Sequence, residues 1–120
     1  REKWDKKLTV NLSTVTDPYQ PAERQFKITR NVLKVFLKHH NALMVTTKSD
    51  LILRDLDILS EIAQTGFLNV VLTIPMINED LRKKIEPKAP SIYKRVEILN
   101  KIHSAGITVG ITASPLFPYI

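Results

Sequence analysis

Apolar residues along the chain fall into two kinds of run, short continuous ones and longer ones spaced by three and four, and the two kinds alternate. "LTVNLS", residues 8–13, has the β-branched and apolar content of a short strand. Between residues 21 and 40, Phe26, Val32, Leu33, Phe36 and Leu37 gather on one side, while Arg24, Lys27, Asn31, Lys34 and Lys38 take most of the remaining circumference. That spacing predicts one amphipathic helix, with Pro21 at its first position and Glu23 near its positive end. "ALMVT", residues 42–46, reads as a strand buried on both faces. The next helix has a stripe of Leu56, Leu59, Ile62 and Ala63, with Asp55 near its start and Gly66 placed as a left-handed cap. "NVVLTI", residues 69–74, is a third strand stopped by Pro75. Asn78, Glu79 and Asp80 begin a short helix that ends before Pro87, and Pro90 opens a longer one striped by Ile92, Val96, Leu99 and Ile102 and ended by Gly106. "ITVGITAS", residues 107–114, supplies the fourth strand.

Strands separated by helices imply right-handed crossovers and a parallel sheet, so the expected class is α/β with a four-stranded parallel sheet. A full (β/α)₈ barrel takes about 250 residues. The chain therefore holds either part of a barrel or a whole doubly wound sheet, and its length suits the second. Either way the carboxyl ends of the strands meet at one edge, where such folds bind ligands. That edge collects Thr14, Thr16, Asp17, Tyr19 and Gln20 after the first strand, and Thr47 and Lys48 after the second. Thr73 follows the third, and Thr112 and Ser114 the fourth. It is rich in hydroxyls, with one acid and one lysine. The first junction, "TVTDPYQPAE", is far more elaborate than a turn requires.

Composition narrows the classes. With 120 residues and 43% hydrophobic content, residues 1–120 make one unit. The net charge of +6 is spread over the helices and aromatics are 7%, a balance compatible with nucleic acid but not an argument for it. No cysteine is present, which excludes disulfides and thiolate metal sites within these residues and leans towards the cytoplasm. No apolar run reaches the roughly 18 residues of a membrane span. A start at Arg1 and a finish inside "SPLFPYI" read as an excised piece. The three glycines, Gly66, Gly106 and Gly110, cannot write GxGxxG or a phosphate loop. His39 and His40 point about 100° apart on a helix and have no ligand partners, so they read as cations at a helix end, as does His103. Asp17 before Pro18 initiates a turn or serves as a base or ligand-positioning carboxylate, Lys48 is a loop lysine or an anion partner, and Arg54 with Asp55 reads as a pair at a helix start.

Taken in order, "TDPYQPAE", "TTKSDLILRDLDIL", "LTI", "KIEPKAPSIYKRVEILNKIHSAGI" and "ASPLFP" resemble the middle of radical S-adenosylmethionine proteins related to spore photoproduct lyase, over nearly the whole chain. The specific parts are Asp-Pro-Tyr-Gln-Pro-x-Glu, and Thr-Lys-Ser with Arg-Asp six residues beyond the lysine. The resemblance implies that the four strands are the second to fifth of a partial (β/α)₆ barrel. It implies a parent enzyme holding S-adenosylmethionine beside a four-iron four-sulfur cluster, whose CxxxCxxC loop is missing here, so that this piece alone is inactive and binds neither stably. Reductive cleavage of the cofactor to a deoxyadenosyl radical, which takes hydrogen from a substrate, is the family's chemistry. By position, Thr16, Asp17, Pro18 and Tyr19 stand where relatives hold the methionine amino group, with Thr14 before them also counted as cofactor-binding, Lys48 and Thr73 near the cofactor's carboxylate or ribose, and Ser114 to Pro118 on the adenine side. Glu86 and Arg95 belong to the resemblance without a role.

Substrate and partners follow from none of this, and open sheet edges predict self-association of the piece. Two competitors stand beside this reading. One is a self-contained α/β module whose hydroxyl-rich edge binds a small anionic ligand or a protein partner. The other is a barrel hydrolase or aldolase that uses Lys48 or Asp17.

Overall fold

Strand and helix alternate along the chain as the periodicity requires. The computed structural model describes residues 8–13 and 15–118. Within them lie β1 (Val10–Leu12), α1 (Glu23–Phe26), α2 (Ile28–His39), β2 (Leu43–Thr47), a 3₁₀ segment (Asp50–Asp55), α3 (Leu56–Thr65), β3 (Leu68–Thr73), α4 (Glu79–Ile85), α5 (Ile92–Ser104) and β4 (Thr108–Thr112). The four strands form one all-parallel sheet in the order β1-β2-β3-β4. A doubly wound sheet reverses its strand order at a switch point. Here there is no reversal, so the doubly wound alternative does not describe these residues.

The sequential order gives the sheet two unlike faces. Val10, Leu12, Leu43, Val45, Leu68, Val70, Leu72 and Val109 lie in register on one of them, with Leu43, Val45, Val70 and Leu72 fully buried. Against it pack Leu33 of α2, Ile58, Leu59 and Ile62 of α3, and Ile98, Leu99 and Ile102 of α5, forming a single core. On the other face stand Asn11, Met44, Thr46, Asn69, Val71, Thr73, Gly110 and Thr112, and the three long helices all lie on the side away from it. Met44, Thr46 and Val71 accordingly stay partly exposed. The reading of the second strand as buried on both faces therefore holds for one face only.

Several local expectations are corrected. The single helix across residues 21–40 is broken at Lys27, whose left-handed backbone (φ 52°, ψ 32°) closes α1 through an N–H bond to the Glu23 carbonyl at 3.1 Å. The break turns Phe26 out to solvent, away from the stripe assigned to it. Gly66 is extended (φ −162°, ψ −165°), not left-handed, whereas Gly106 (φ 80°) adopts the conformation that suits glycine after a helix. Pro90 does not open α5, which starts at Ile92 behind the cap Ser91, whose hydroxyl accepts from the Lys94 N–H at 3.1 Å. Val96 is exposed, and its place in the α5 stripe is taken by Ile98 and a fully buried Arg95. Asn78 caps α4 as its sequence indicates, accepting from the Leu81 N–H at 3.0 Å. No helix among the described residues is long and apolar enough to cross a membrane.

Candidate functional site

The carboxyl ends of the strands carry the hydroxyl-rich edge, and its geometry begins with the first junction. Asp17 folds back on its own chain, one carboxylate oxygen accepting the Tyr19 N–H at 2.8 Å, the Asx turn that Asp-Pro promotes. The same oxygen accepts the Thr47 hydroxyl at 2.7 Å, and the other accepts the Lys48 N–H at 2.9 Å. Asp17 thus fastens the β1 loop to the end of β2. Farther along, the Thr29 hydroxyl of α2 donates to the Pro18 carbonyl at 2.5 Å, and buried Glu23 accepts from Arg54 at 3.1 Å. The junction is elaborate because it is tied to α2, to the 3₁₀ segment and to β2.

Arg54 belongs to a larger network beneath that loop. It grips Asp55 through two bonds of 2.9 Å, and Arg30 of α2 reaches Asp55 at 2.8 Å and Asp57 at 2.7 Å. The Asp55 side chain is completely buried. Burial alone would raise its carboxyl, but Arg54 and Arg30 outweigh it and hold the group below the usual range. Arg30, as hydrogen-bond partner, likewise holds the exposed Asp57 at about 2. The Arg54–Asp55 pairing expected from adjacency is present, but it is buried architecture spanning α1, the 3₁₀ segment, α2 and α3. Tyr19 packs into the core beside it, 2% exposed, and burial, with the Asp55 charge next, pushes its phenol well up.

A second network stands at the ligand edge. The Lys48 ammonium pairs with one oxygen of Glu86, just after α4, and the other Glu86 oxygen accepts from Arg95 at 2.7 Å. Arg95, with no exposed surface, also donates to the Thr73 carbonyl at 2.7 Å and the Pro90 carbonyl at 3.1 Å. Burial would raise the Glu86 carboxyl, yet Lys48 and Arg95 together keep it lowered. The ends of β2 and β3 are thereby joined through one carboxylate.

Above these ties the sheet face that the described residues leave uncovered forms a concavity of about 590 Å³, into which Ser13, Thr46, Lys48, Thr73, Thr112 and Ser114 contribute. A smaller recess at its rim adds Thr16 and Asp17. Of the residues singled out from sequence, Lys48, Thr73 and Ser114 share the concavity, Thr16 and Asp17 stand at its rim, Tyr19 is in the core, and Thr14 lies outside the described residues. Thr46 is not singled out by the sequence, and Glu86 and Arg95 are named there without a role and without their pairing. A signal for Arg95 exists: residues 92, 95, 99 and 102 keep a three-four spacing, so an arginine occupies the buried stripe and requires an acid.

The donor set suits a ligand with both charged and hydroxyl groups, since threonine and serine hydroxyls donate or accept and the ammonium only donates. S-adenosylmethionine, with its carboxylate, amino group and ribose, fits that set. Cluster ligands do not: the chain has no cysteine, and among the described residues no group of three His, Cys, Asp or Glu gathers to hold a metal.

The fold and the site define an α/β protein with a sequentially ordered parallel sheet and a hydroxyl-lined concavity at its strand ends. The chain is 39% identical over 109 residues to an uncharacterized protein of Methanocaldococcus jannaschii, covering 91% of this chain and 40% of that protein. It is 34% identical over 117 residues to an uncharacterized protein of Acidianus two-tailed virus, covering 98% of this chain and 37% of the relative. An uncharacterized protein of Mycobacterium tuberculosis is 28% identical over 120 residues, 35% of its own length. The chain thus spans 40% or less of the length of these curated relatives. No family model and no solved structure matches it.

Proposed function

We propose that these residues form part of the wall of a (β/α) barrel in a radical S-adenosylmethionine enzyme, with the uncovered sheet face turned to the cofactor. The observation that carries this reading is the sheet itself. Four parallel strands in sequential order, with their long helices on one side only, have the layering of a barrel wall, and the opposite face would be the barrel interior. That face bears hydroxyls and Lys48 at the carboxyl end, where barrel enzymes bind their substrates.

On this reading Lys48 holds the cofactor's carboxylate, Thr46, Thr73 and Thr112 meet its amino and ribose groups, and Ser114 lies on the adenine side. Asp17 acts by fixing the backbone at Lys48. When bound beside a four-iron four-sulfur cluster on residues other than these, the cofactor supplies a radical that takes hydrogen from a substrate. Residues 1–120 contribute position and electrostatics.

The test uses the intact protein, reconstituted anaerobically with iron and sulfide, reduced and assayed for deoxyadenosine. The reading requires product that disappears when the cluster cysteines are replaced. A protein that takes up no cluster and makes no deoxyadenosine would leave a binding module for a small anionic ligand, to which Lys48 and the surrounding hydroxyls are equally suited.

A further inference from the structure

Arg95 is fully buried, and its guanidinium reaches three acceptors: the Glu86 carboxylate, the Thr73 carbonyl and the Pro90 carbonyl. Burying an ion pair rarely gains stability over well-packed apolar side chains, and breaking one is costly. A buried arginine in the α5 stripe is therefore a poor way to build a core. Its location gives it another use. Glu86 spans from Arg95, inside the protein, to Lys48, on the concavity, so one carboxylate joins a buried cation to an accessible one. Lys48 is otherwise a flexible side chain whose backbone alone is fixed, by Asp17. An ammonium has three donors, and Glu86 engages one of them. Among the described residues the others have no partner and remain for a ligand, at a position set by a carboxylate that Arg95 anchors.

We infer that Glu86 is the positioning residue of the pocket: held by Arg95, it fixes the Lys48 ammonium where it meets the ligand's carboxylate, and so raises affinity without touching the ligand. This rests on the cofactor reading of the concavity given above. Preorganising a long side chain spares the cost of ordering it on binding. Loss of one charge-assisted hydrogen bond is worth about tenfold in affinity.

Equilibrium dialysis with labelled S-adenosylmethionine on the intact reconstituted protein tests this, with Glu86→Gln, Lys48→Met and the double variant, and thermal melting on the same samples. Each single variant is expected to weaken binding about tenfold, and the double variant no further than the weaker single, because Glu86 acts through Lys48. Should Glu86→Gln not fold, Glu86→Asp takes its place with the same expectations, since it keeps a charge for Arg95 and draws it back from Lys48. Unchanged binding by Lys48→Met would overturn the cofactor assignment of the pocket, and this inference with it. Weakened binding by Lys48→Met together with full binding by the Glu86 variant would overturn this inference alone. So would losses that multiply in the double variant, since a merely structural Glu86 does not couple to Lys48 in ligand affinity.

Discussion

The Asp17 carboxylate accepts the Thr47 hydroxyl at 2.7 Å, although thirty residues separate the two in sequence. With the bonds from the N–H groups of Tyr19 and Lys48, it closes the β1 loop onto the end of β2. The polar, proline-bounded junction is thus a joint between neighbouring strand ends at the edge where the proposed ligand sits.

Replacing Asp17 by Ala leaves the Thr47 hydroxyl and two backbone N–H groups without their acceptor. Loss of a part-buried acceptor with several donors costs about 2–3 kcal/mol. Urea unfolding of the intact protein is expected to show that loss, with Asp17→Asn retaining part of the stability through its remaining carbonyl oxygen.

Asp55 makes a harsher case. Its side chain is wholly buried between Arg30 and Arg54, so Asp55→Asn takes the carboxylate from two guanidinium groups that are 25% and 23% exposed and keep Asp57 and Glu23 as second partners. Because the arginines keep water and a partner each, the loss is expected at about 3 kcal/mol, the low end for a buried pair. Asp57→Asn, at an exposed partner of the same Arg30, is expected to alter the melting temperature little. Equal effects at the two positions would contradict the network described here.

Acid should expose the same groups. The carboxyls of Glu23, Asp55 and Glu86 all sit below their ordinary values, since their cationic and N–H partners outweigh burial. A lowered native pKa means that the unfolded chain binds more protons as pH falls, so the stabilisation is complete above the unfolded pKa of about 4. It is lost as pH drops through the lowered native values. Denaturation midpoints are expected to hold steady from neutrality to about pH 5 and to decline below about pH 4. The decline should be shallower in Asp55→Asn.

Tyr19 separates a structural role from a ligand role. Its ring is core, and among the described residues its buried hydroxyl has no hydrogen-bond partner. Tyr19→Phe is expected to change stability by less than about 1 kcal/mol and to leave S-adenosylmethionine binding intact. Weakened binding in a normally stable variant would return Tyr19 to the pocket.

Elements were legible in the sequence where burial follows period. β2, β3, α3 and α5 sit within a residue or two of where their apolar runs place them, and Asn78 announces α4. The break at Lys27 was not, because lysine in a left-handed conformation carries none of the signal that glycine would. Lys48, Thr73 and Ser114 could be grouped because parallel order alone brings strand ends together. Glu86 and Arg95 could not be joined to them. Their link depends on how the α4–α5 connection returns to the sheet, and a glutamate before proline reads as a helix separator. Spatial pairing of distant charges leaves no local pattern.

The central claim is that the uncovered sheet face receives the cofactor, and Gly110 offers the most direct probe of it. A Cβ at Gly110 would meet only Val71 and Asn69 side-chain atoms at 3.6 and 3.8 Å, ordinary contact distances, so a side chain there projects over that face without entering the core. The measurement is S-adenosylmethionine binding to intact, reconstituted Gly110→Leu beside the unaltered protein, with melting curves to establish folding. The account predicts a folded variant whose affinity falls by about tenfold or more, roughly 1.4 kcal/mol. A folded Gly110→Leu that binds the cofactor as tightly as the unaltered protein would contradict it.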